Sequence, residues 1–292
     1  MVALLGDTHF GKNGFSIDFF FFLMKFYQNQ FFPYLLENNI NHVICTGDFF
    51  DHGTRQDVRL LLRVKNEFLN FFEKNKIMLT VLVGNHDIYY KNTREITTLD
   101  MFDNYEYLRV IKEPTIMEIG NITWELYPWL LNGEGFAPKS KYIIGHFEIN
   151  GFRMVGNFEC TNGMKPNSLK NMKQVISGHF HLKQEKDAIK YVGTPYAMDW
   201  NDVNEDKGFY ILDDNANLEF IRNEEYHYIQ LQHGKNIIEI LWELSEYIAK
   251  MKNIMFDYER KDGVKKNHQV KPVAVMFSEF YFYLIAYNED TD

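Results

Sequence analysis

Leu79-Thr80-Val81-Leu82-Val83-Gly84-Asn85-His86-Asp87 is a short apolar run that breaks on a glycine and ends in three polar side chains. A run of this kind, bounded by a turn signal, reads as a buried strand. The glycine lets the backbone bend tightly and pass close to whatever the polar residues hold. The same figure recurs on both sides. Val2–Leu5 runs into Gly6-Asp7, and His42–Thr46 into Gly47-Asp48. Tyr142–Ile144 reaches Gly145-His146, and Gln174–Ser177 reaches Gly178-His179. Between the early runs the pattern predicts helices over roughly 17–38 and 55–75. Strands alternating with helices give an α/β fold with polar residues gathered at one end of the sheet.

The first helix carries Phe19, Phe20, Phe21, Phe22, Phe26, Phe31 and Phe32, so little of it is polar on any side. A helix apolar all round is a core helix, with part of its surface a candidate for pairing with a second copy. After about residue 205 the glycine-polar punctuation stops. Gly208–Leu212 and Tyr226–Gln230 read as strands, and Ile237, Leu241, Leu244, Ile248 and Met251 fall on one helix stripe. That stripe is expected to pack on the chain's own strands, with docking on a partner as the alternative. A basic stretch, Arg260 to Lys271, reads as flexible, and Val273–Phe277 and Phe280–Tyr287 as strands. The expected division is a catalytic domain over 1–210 and a small accessory, capping-like region over 211–292.

The 292 residues, 46% of them hydrophobic, suffice for one catalytic domain with an appendage. The densest apolar run, Phe19 to Met24, is far below the ~20 residues that a membrane crossing needs. The start shows no signal-peptide pattern, and two cysteines, Cys45 and Cys160, make no disulfide framework, so a cytoplasmic location is expected. Cys45 reads as core. A formal charge of −9 runs against phosphate binding. Bound divalent cations would offset it locally. So would two basic clusters, Arg55, Arg59, Arg63 and Lys65 and then Lys165, Lys170, Lys173, Lys183 and Lys186, which read equally well as solvated faces.

In chain order the polar residues are Asp7-Thr8-His9, Asp48 to Asp51, Asn85-His86-Asp87, His146, and His179-Phe180-His181, taking five of the ten histidines. Carboxylate, imidazole and amide without thiolate form a borderline-to-hard ligand set, suited to Mn, Fe or Zn. Residues two apart in a strand share a side, so Asp7 and His9, and His179 and His181, are expected to act in pairs unless a turn redirects them. A central carboxylate can bridge two cations, and Asp48 is the natural candidate. Two cations ~3.5–4 Å apart clamp a phosphoryl group and hold a hydroxide between them. A histidine that is not a ligand can protonate the departing oxygen, a role that suits His86 beside Asn85. Any one of these motifs is weak, since a lone buried histidine is more often a core residue than a ligand. Five in one order, each after an apolar run and a glycine, are not coincidence.

The order Asp-x-His, Gly-Asp-x-x-Asp, Gly-Asn-His-Asp, Gly-His, Gly-His-x-His resembles the calcineurin-like metallophosphoesterases, and within them the SbcD-type nuclease subunits of double-strand-break repair. Three stretches, 83–92, 145–152 and 192–196, are similar to the recombination endonuclease subunits of tailed phages in that family. The likeness covers about residues 1–215. It implies a two-sheet sandwich flanked by helices, one metal held by Asp7, His9, Asp48 and His181, and another held by Asp48, Asn85, His146 and His179. It also implies His86 as the catalytic histidine and Mn²⁺ as the metal, with Mg²⁺, Fe²⁺ or Zn²⁺ as alternatives. The implied activity is exonuclease and endonuclease action on DNA, by a homodimer that works with an SbcC-type ATPase.

Asp51 stands where some family members carry histidine, and it is expected to orient a ligand. His52 is a candidate phosphate contact or a solvent-facing turn residue, and Asp87 is expected to brace its turn. Tyr89 and Tyr90 are expected to be ordinary packing, with stacking on unpaired bases as the alternative. Glu148 and Asn150 are weaker candidates for contact with substrate. Two other functions compete with this one, a phosphatase or other small phosphodiesterase of the same superfamily and a non-catalytic scaffold. A protein phosphatase of this superfamily would read Gly-Asp-x-x-Asp-Arg-Gly and Gly-Asn-His-Glu, which Asp51-His52-Gly53 and Asn85-His86-Asp87 do not. A non-catalytic scaffold would show gaps among the ligands, and the sequence shows none.

Overall fold

Val2 and Leu4 of the first strand enter one hydrophobic core and Ala3 and Leu5 enter another. This alternation, repeated strand by strand, sets the layering of the protein. The computed structural model describes residues 1–154, 158–198, 202, 205–225, 229–230, 237–259, 265–278 and 281–288. They fall into two compact units, residues 1–198 with 206–225, and residues 199–205 with 226–292.

The first unit is a sandwich of two six-stranded sheets. Its strands are β1 (Val2–Leu5), β2 (His42–Cys45), β3 (Met78–Leu82) and β4 (Leu108–Ile111), then β5 (Thr115–Ile119), β6 (Ile122–Tyr127) and β7 (Tyr142–His146). There follow β8 (Gln174–Gly178), β9 (Gln184–Lys186), β10 (Ile189–Tyr191), β11 (Gly208–Leu212) and β12 (Leu218–Arg222). One sheet has the order β12-β11-β1-β2-β3-β4, with β1 to β4 parallel and β11 and β12 antiparallel. The other runs β5-β6-β7-β8-β10-β9, parallel from β6 to β10 with antiparallel edges. Leu4, Ile44, Leu82, Leu126, Ile144 and Ile176 meet in the core between the sheets. The α/β sandwich expected from the resemblance is the fold observed.

The outer face of the first sheet carries the predicted helices. Ile17–Phe26 continues through a π-helical turn, Tyr27–Phe31, into Phe32–Glu37; Val58–Arg63 continues through Val64–Leu69 into Asn70–Asn75. Phenylalanines lock them together. The Phe32 and Phe71 rings stack at 3.8 Å, and Phe68 lies edge-on to Tyr27 at 4.8 Å. Each phenyl buried here stabilises the layer by about 2–3 kcal/mol. The helix is not buried on every side, however. Phe19, Phe20, Phe26, Phe31 and Phe32 are in the core, whereas Phe21 is 39% exposed, with the Arg63 guanidinium 5.0 Å over its ring.

The second unit pairs a four-stranded sheet with one helix, Ile237–Ala249. Its strands are β13 (Ile229–Gln230), β14 (Ile254–Glu259), β15 (Lys265–Ser278) and β16 (Tyr281–Asn288). The helix packs on the unit's own strands, Leu244 being buried with Ile254 and Val270 and flanked by Ile240 and Tyr247. The buried face is thus centred on 240, 244 and 247, and Met251 is exposed beyond the helix end. The stretch expected to be flexible is strand from Lys265 onward, its backbone pairing antiparallel with β14 from Lys265 opposite Glu259 to Val270 opposite Ile254. Residues 226–228, 260–264 and 280 of the expected elements lie outside the described residues. No helix among the described residues is long and apolar enough to cross a membrane.

Candidate metal centre

Each polar motif sits at a strand end or just past it, His146 closing β7 and the others following where the chain turns. Three of its residues hold backbone conformations that non-glycine residues rarely adopt, with φ 45° at His9, 47° at Asp48 and 89° at His179. Left-handed backbone at three neighbouring functional positions is strain that the surrounding structure must hold in place. It also corrects the pairing argument. Asp7 and His9 meet in one donor group through a turn and not through the side-alternation of a strand, whereas His179 and His181 go to different groups. Gly47 and Gly84 are required by the crowding, since a Cβ on either would run into the His146 ring or the Asp48 carboxylate.

The turns are tied to one another before any side chain closes the site. His9 N–H donates to Asp48 O (2.9 Å), Phe10 N–H to Phe49 O (2.9 Å) and Asp51 N–H to Phe10 O (3.0 Å). His86 N–H donates to Asp48 Oδ1, and His179 N–H to Asp7 Oδ2, both at 2.8 Å. Asp87 braces its turn, as expected, with three backbone N–H groups (Gly84, Phe49 and Phe50) donating to its carboxylate.

Two groups of donors result. Asp7, His9 and His181 form one, with the Nε2 atoms of the two histidines 3.1 Å apart. Asp48, His146 and His179 form the other, and Asn85 Oδ1 lies 3.1 Å from His146 Nε2 and 3.0 Å from His179 Nδ1. Asp48 Oδ2 is 3.3 Å from His146 Nε2 and 3.8 Å from His9 Nε2, so one oxygen addresses both groups. A third set, His9, Asp51 and His86, shares His9 with the first. Here Asp51 Oδ1 is 2.9 Å from His9 Nδ1, the ring nitrogen opposite the one that faces His181. His146 Nδ1 donates to Thr46 O (2.9 Å), which leaves Nε2 as its lone-pair nitrogen. His86 Nδ1 donates likewise to Asp51 O (2.7 Å). His52, a surface side chain, has Nε2 3.4 Å from Asp51 Oδ2.

Cations fit this set. Asp7 Oδ1 is buried without a hydrogen-bond partner, and the Nε2 atoms of His9 and His181 face each other beside it. Burial and the Asp48 charge push the Asp7 pKa up to about 6. Burial, then the His146 charge, drive His179 down to about 3, and burial and His9 hold His181 far below the ordinary range. Neutral imidazole is the form that binds a cation. Burial opposes protonation of His146, yet the Asp48 carboxylate overrides it and raises that pKa to about 9. Burial also opposes ionisation of Asp48, and the His146 and His9 rings overcome it, so its pKa falls below the usual carboxylate range.

Several supporting residues were not read from the motifs. Lys207, buried, donates to His181 O and to Thr194 Oγ1, both at 2.9 Å. Thr194 N–H also donates to His181 O (3.1 Å). Tyr196 reaches the backbone of Thr8. Thr194 and Tyr196 belong to the 192–196 stretch, whose resemblance marked it without saying what it does. Trp129 lies with its ring 5.0 Å from His179 and 5.9 Å from His146, and its one signal was an aromatic beside Pro128 after an apolar run. No described contact joins Glu148 or Asn150 to the donor groups: Glu148 Oε1 accepts from Cys160 Sγ, and Asn150 Nδ2 donates to Thr161 O.

A model of the calcineurin-like phosphoesterase family matches residues 1–263, and one of the WYL domain matches residues 239–292. Exonuclease subunit 1 of Enterobacteria phage T4 is 30% identical over 241 residues, which is 75% of this chain and 66% of that protein. The DNA double-strand break repair protein Mre11 of Nanoarchaeum equitans (strain Kin4-M) is 23% identical over 218 residues, 61% of this chain and 56% of that protein. The chain therefore spans less than two thirds of the length of these relatives. A solved structure, of a protein of unknown function from Aquifex aeolicus, has 16% identity and covers 66% of this chain and 88% of that one, but its TM-score of 0.32 carries no argument. With a family match over most of its length, and with carboxylate, amide and imidazole donors converging at the strand ends of a two-sheet sandwich, this chain belongs to the calcineurin-like phosphoesterases.

Proposed function

We propose that the protein is a metal-dependent phosphodiesterase that cleaves DNA. The observation that carries this reading is the position of Asp48 Oδ2 between two donor groups, 3.3 Å from His146 Nε2 and 3.8 Å from His9 Nε2. In this reading Asp7, His9, Asp48 and His181 hold one divalent cation, and Asp48, Asn85, His146 and His179 hold a second. Mn²⁺ is the preferred ion. Bound cations would neutralise charge on the phosphodiester and supply an activated nucleophile. The protein's own part is orientation and proton transfer. Asp51 Oδ1 stands 2.9 Å from His9 Nδ1, and Thr46 O accepts from His146 Nδ1, so that both rings present Nε2 inward. His86, with Nδ1 held by Asp51 O, keeps Nε2 for delivering a proton to the departing sugar oxygen. The relatives' printed names, an exonuclease subunit and a double-strand break repair protein, support DNA as the substrate.

The proposal extends to assembly. Phe21, Val58 and Leu62 are exposed on neighbouring helices, 39%, 69% and 53% respectively, which supports pairing with a second copy through that layer. An SbcC-type ATPase is the proposed partner, and the first unit the catalytic one. The test is a nuclease assay across a panel of divalent metals, with and without such an ATPase and ATP. The expected result is Mn²⁺-dependent DNA cleavage that His86→Ala lowers by about 10²-fold or more while metal stays bound. Unchanged cleavage in His86→Ala removes that residue from the mechanism, and no cleavage with any metal or partner overturns the reading.

A further inference from the structure

Among the described residues, Trp129 is the one indole beside the donor groups. Its ring packs 5.0 Å from His179 and 5.9 Å from His146, yet it remains half-buried, unlike the wholly enclosed Trp124. Its backbone is fixed from both sides. Trp129 N–H donates to Val83 O (2.7 Å), immediately before Gly84 of the third turn, and Trp129 O accepts from Arg94 Nη1 (2.7 Å).

Arg94 is itself a costly device. Its side chain is 3% exposed, and it is tied to Glu134 by two bonds of 2.6 and 2.7 Å, to Lys112 O at 2.5 Å and to Glu113 at 3.2 Å. Glu134 in turn accepts Leu131 N–H (2.8 Å), which closes the loop that bears Trp129. A guanidinium is worth desolvating only where its whole fork is engaged, and this one is spent on holding one short loop against the donor groups. Apolar packing alone would not need such rigidity. A fixed, partly open indole is what a flat aromatic ligand requires.

We propose that Trp129, positioned by Arg94, stacks on the nucleobase next to the reacting phosphate and so selects unpaired nucleotides. This rests on the phosphodiesterase reading above. A phosphate seated at the donor groups carries its base one sugar away, within reach of a ring that touches His146 and His179. Every base offers a π-face, so the contact tolerates any sequence, but a paired base is stacked already and does not present it.

The test compares a single-stranded oligothymidylate with a phosphodiester oligomer of equal length built from base-free tetrahydrofuran units, in Mn²⁺. Wild type is expected to cut the thymidylate with the higher kcat/KM. Trp129→Ala is expected to shrink that preference by about tenfold or more, mostly through KM, with Trp129→Phe in between. Taking the ratio of two substrates cancels any damage to metal binding, which scales both rates together. Equal loss on both oligomers, or no change in the ratio, overturns the proposal. Wild type cutting neither oligomer overturns the phosphodiesterase reading along with it. Should Trp129→Ala be inactive, fluorescence decides: thymidylate, and not the base-free oligomer, quenches a fraction of tryptophan emission that is missing from Trp129→Phe. Equal quenching in both proteins counts against the proposal.

Discussion

Tyr196 Oη donates a 2.6 Å hydrogen bond to the carbonyl oxygen of Thr8, the residue between Asp7 and His9. Tyr27 Oη, from the π-helical turn, donates in turn to Tyr196 Oη at 3.3 Å. Both rings are buried. The first motif is thereby held from the helical layer behind it, through a residue 188 positions away in the chain. Its left-handed backbone at His9 depends on such outside support.

Tyr196→Phe leaves the Thr8 carbonyl and the Tyr27 hydroxyl without these partners. The expected cost is about 1–3 kcal/mol in urea unfolding of the metal-free protein. Mn²⁺ affinity is expected to fall by roughly tenfold, because the displaced turn carries two of the proposed ligands. Calorimetric titration checks the second effect. Unchanged affinity shows that the turn holds its shape without the tyrosine.

Asp7→Asn should separate stability from function. Burial and the Asp48 charge raise the Asp7 pKa to about 6 from its ordinary 3.8. The folded state therefore holds the proton more tightly than the unfolded chain, and stability is lost as pH rises from about 4 through 6. At pH 8 the metal-free variant is expected to be more stable than wild type by on the order of 1–3 kcal/mol. Asparagine still offers an oxygen to His179 N–H. The rise in Tm that Mn²⁺ gives to wild type should be clearly smaller in the variant, which loses a ligand of one of the two proposed sites. Thermal scans at pH 8, with chelator and with Mn²⁺, measure both effects.

His42 gives a pH dependence unconnected with the metal centre. Its ring bonds Thr80 Oγ1 at 2.9 Å, and burial, with the nearby Arg109 charge, lowers its pKa to about 4. The unfolded chain binds this proton more readily. Stability from this residue is complete above about pH 6.5 and drains away as pH falls through 4. Relative to wild type, His42→Gln should lose about 2–3 kcal/mol less between pH 7 and pH 4 in denaturant unfolding.

What the sequence made legible, and what it did not, follows from where the information sits. Glycine followed by a carboxylate, amide or imidazole is a local signature, so Asp7, His9, Asp48, Asn85, His86, His146, His179 and His181 are legible as candidates from the sequence alone, and the structure brings them together. The two-sheet layering came from the resemblance, because parallel strands buried on both faces show no alternation from which to assign sheets. The β5–β6 hairpin has a local signal, Gly120-Asn121 between two runs. The left-handed turns at His9 and Asp48 could not be foreseen, since they are braced by groups distant in the chain, Tyr196 at the Thr8 carbonyl and Asp48 O at His9 N–H. Trp129 and Arg94 were invisible for a similar reason: their roles lie in contacts outside their own elements, such as those of Arg94 with Trp129 and Glu134, 35 and 40 residues away.

The central claim is that two cations share Asp48. Titration of metal-free protein with Mn²⁺, followed by electron paramagnetic resonance, tests it most directly. Two equivalents per chain with a spin-coupled signal are expected, and Asp48→Ala should abolish the coupling. A single equivalent, or two magnetically isolated ions in the wild type, would contradict the account.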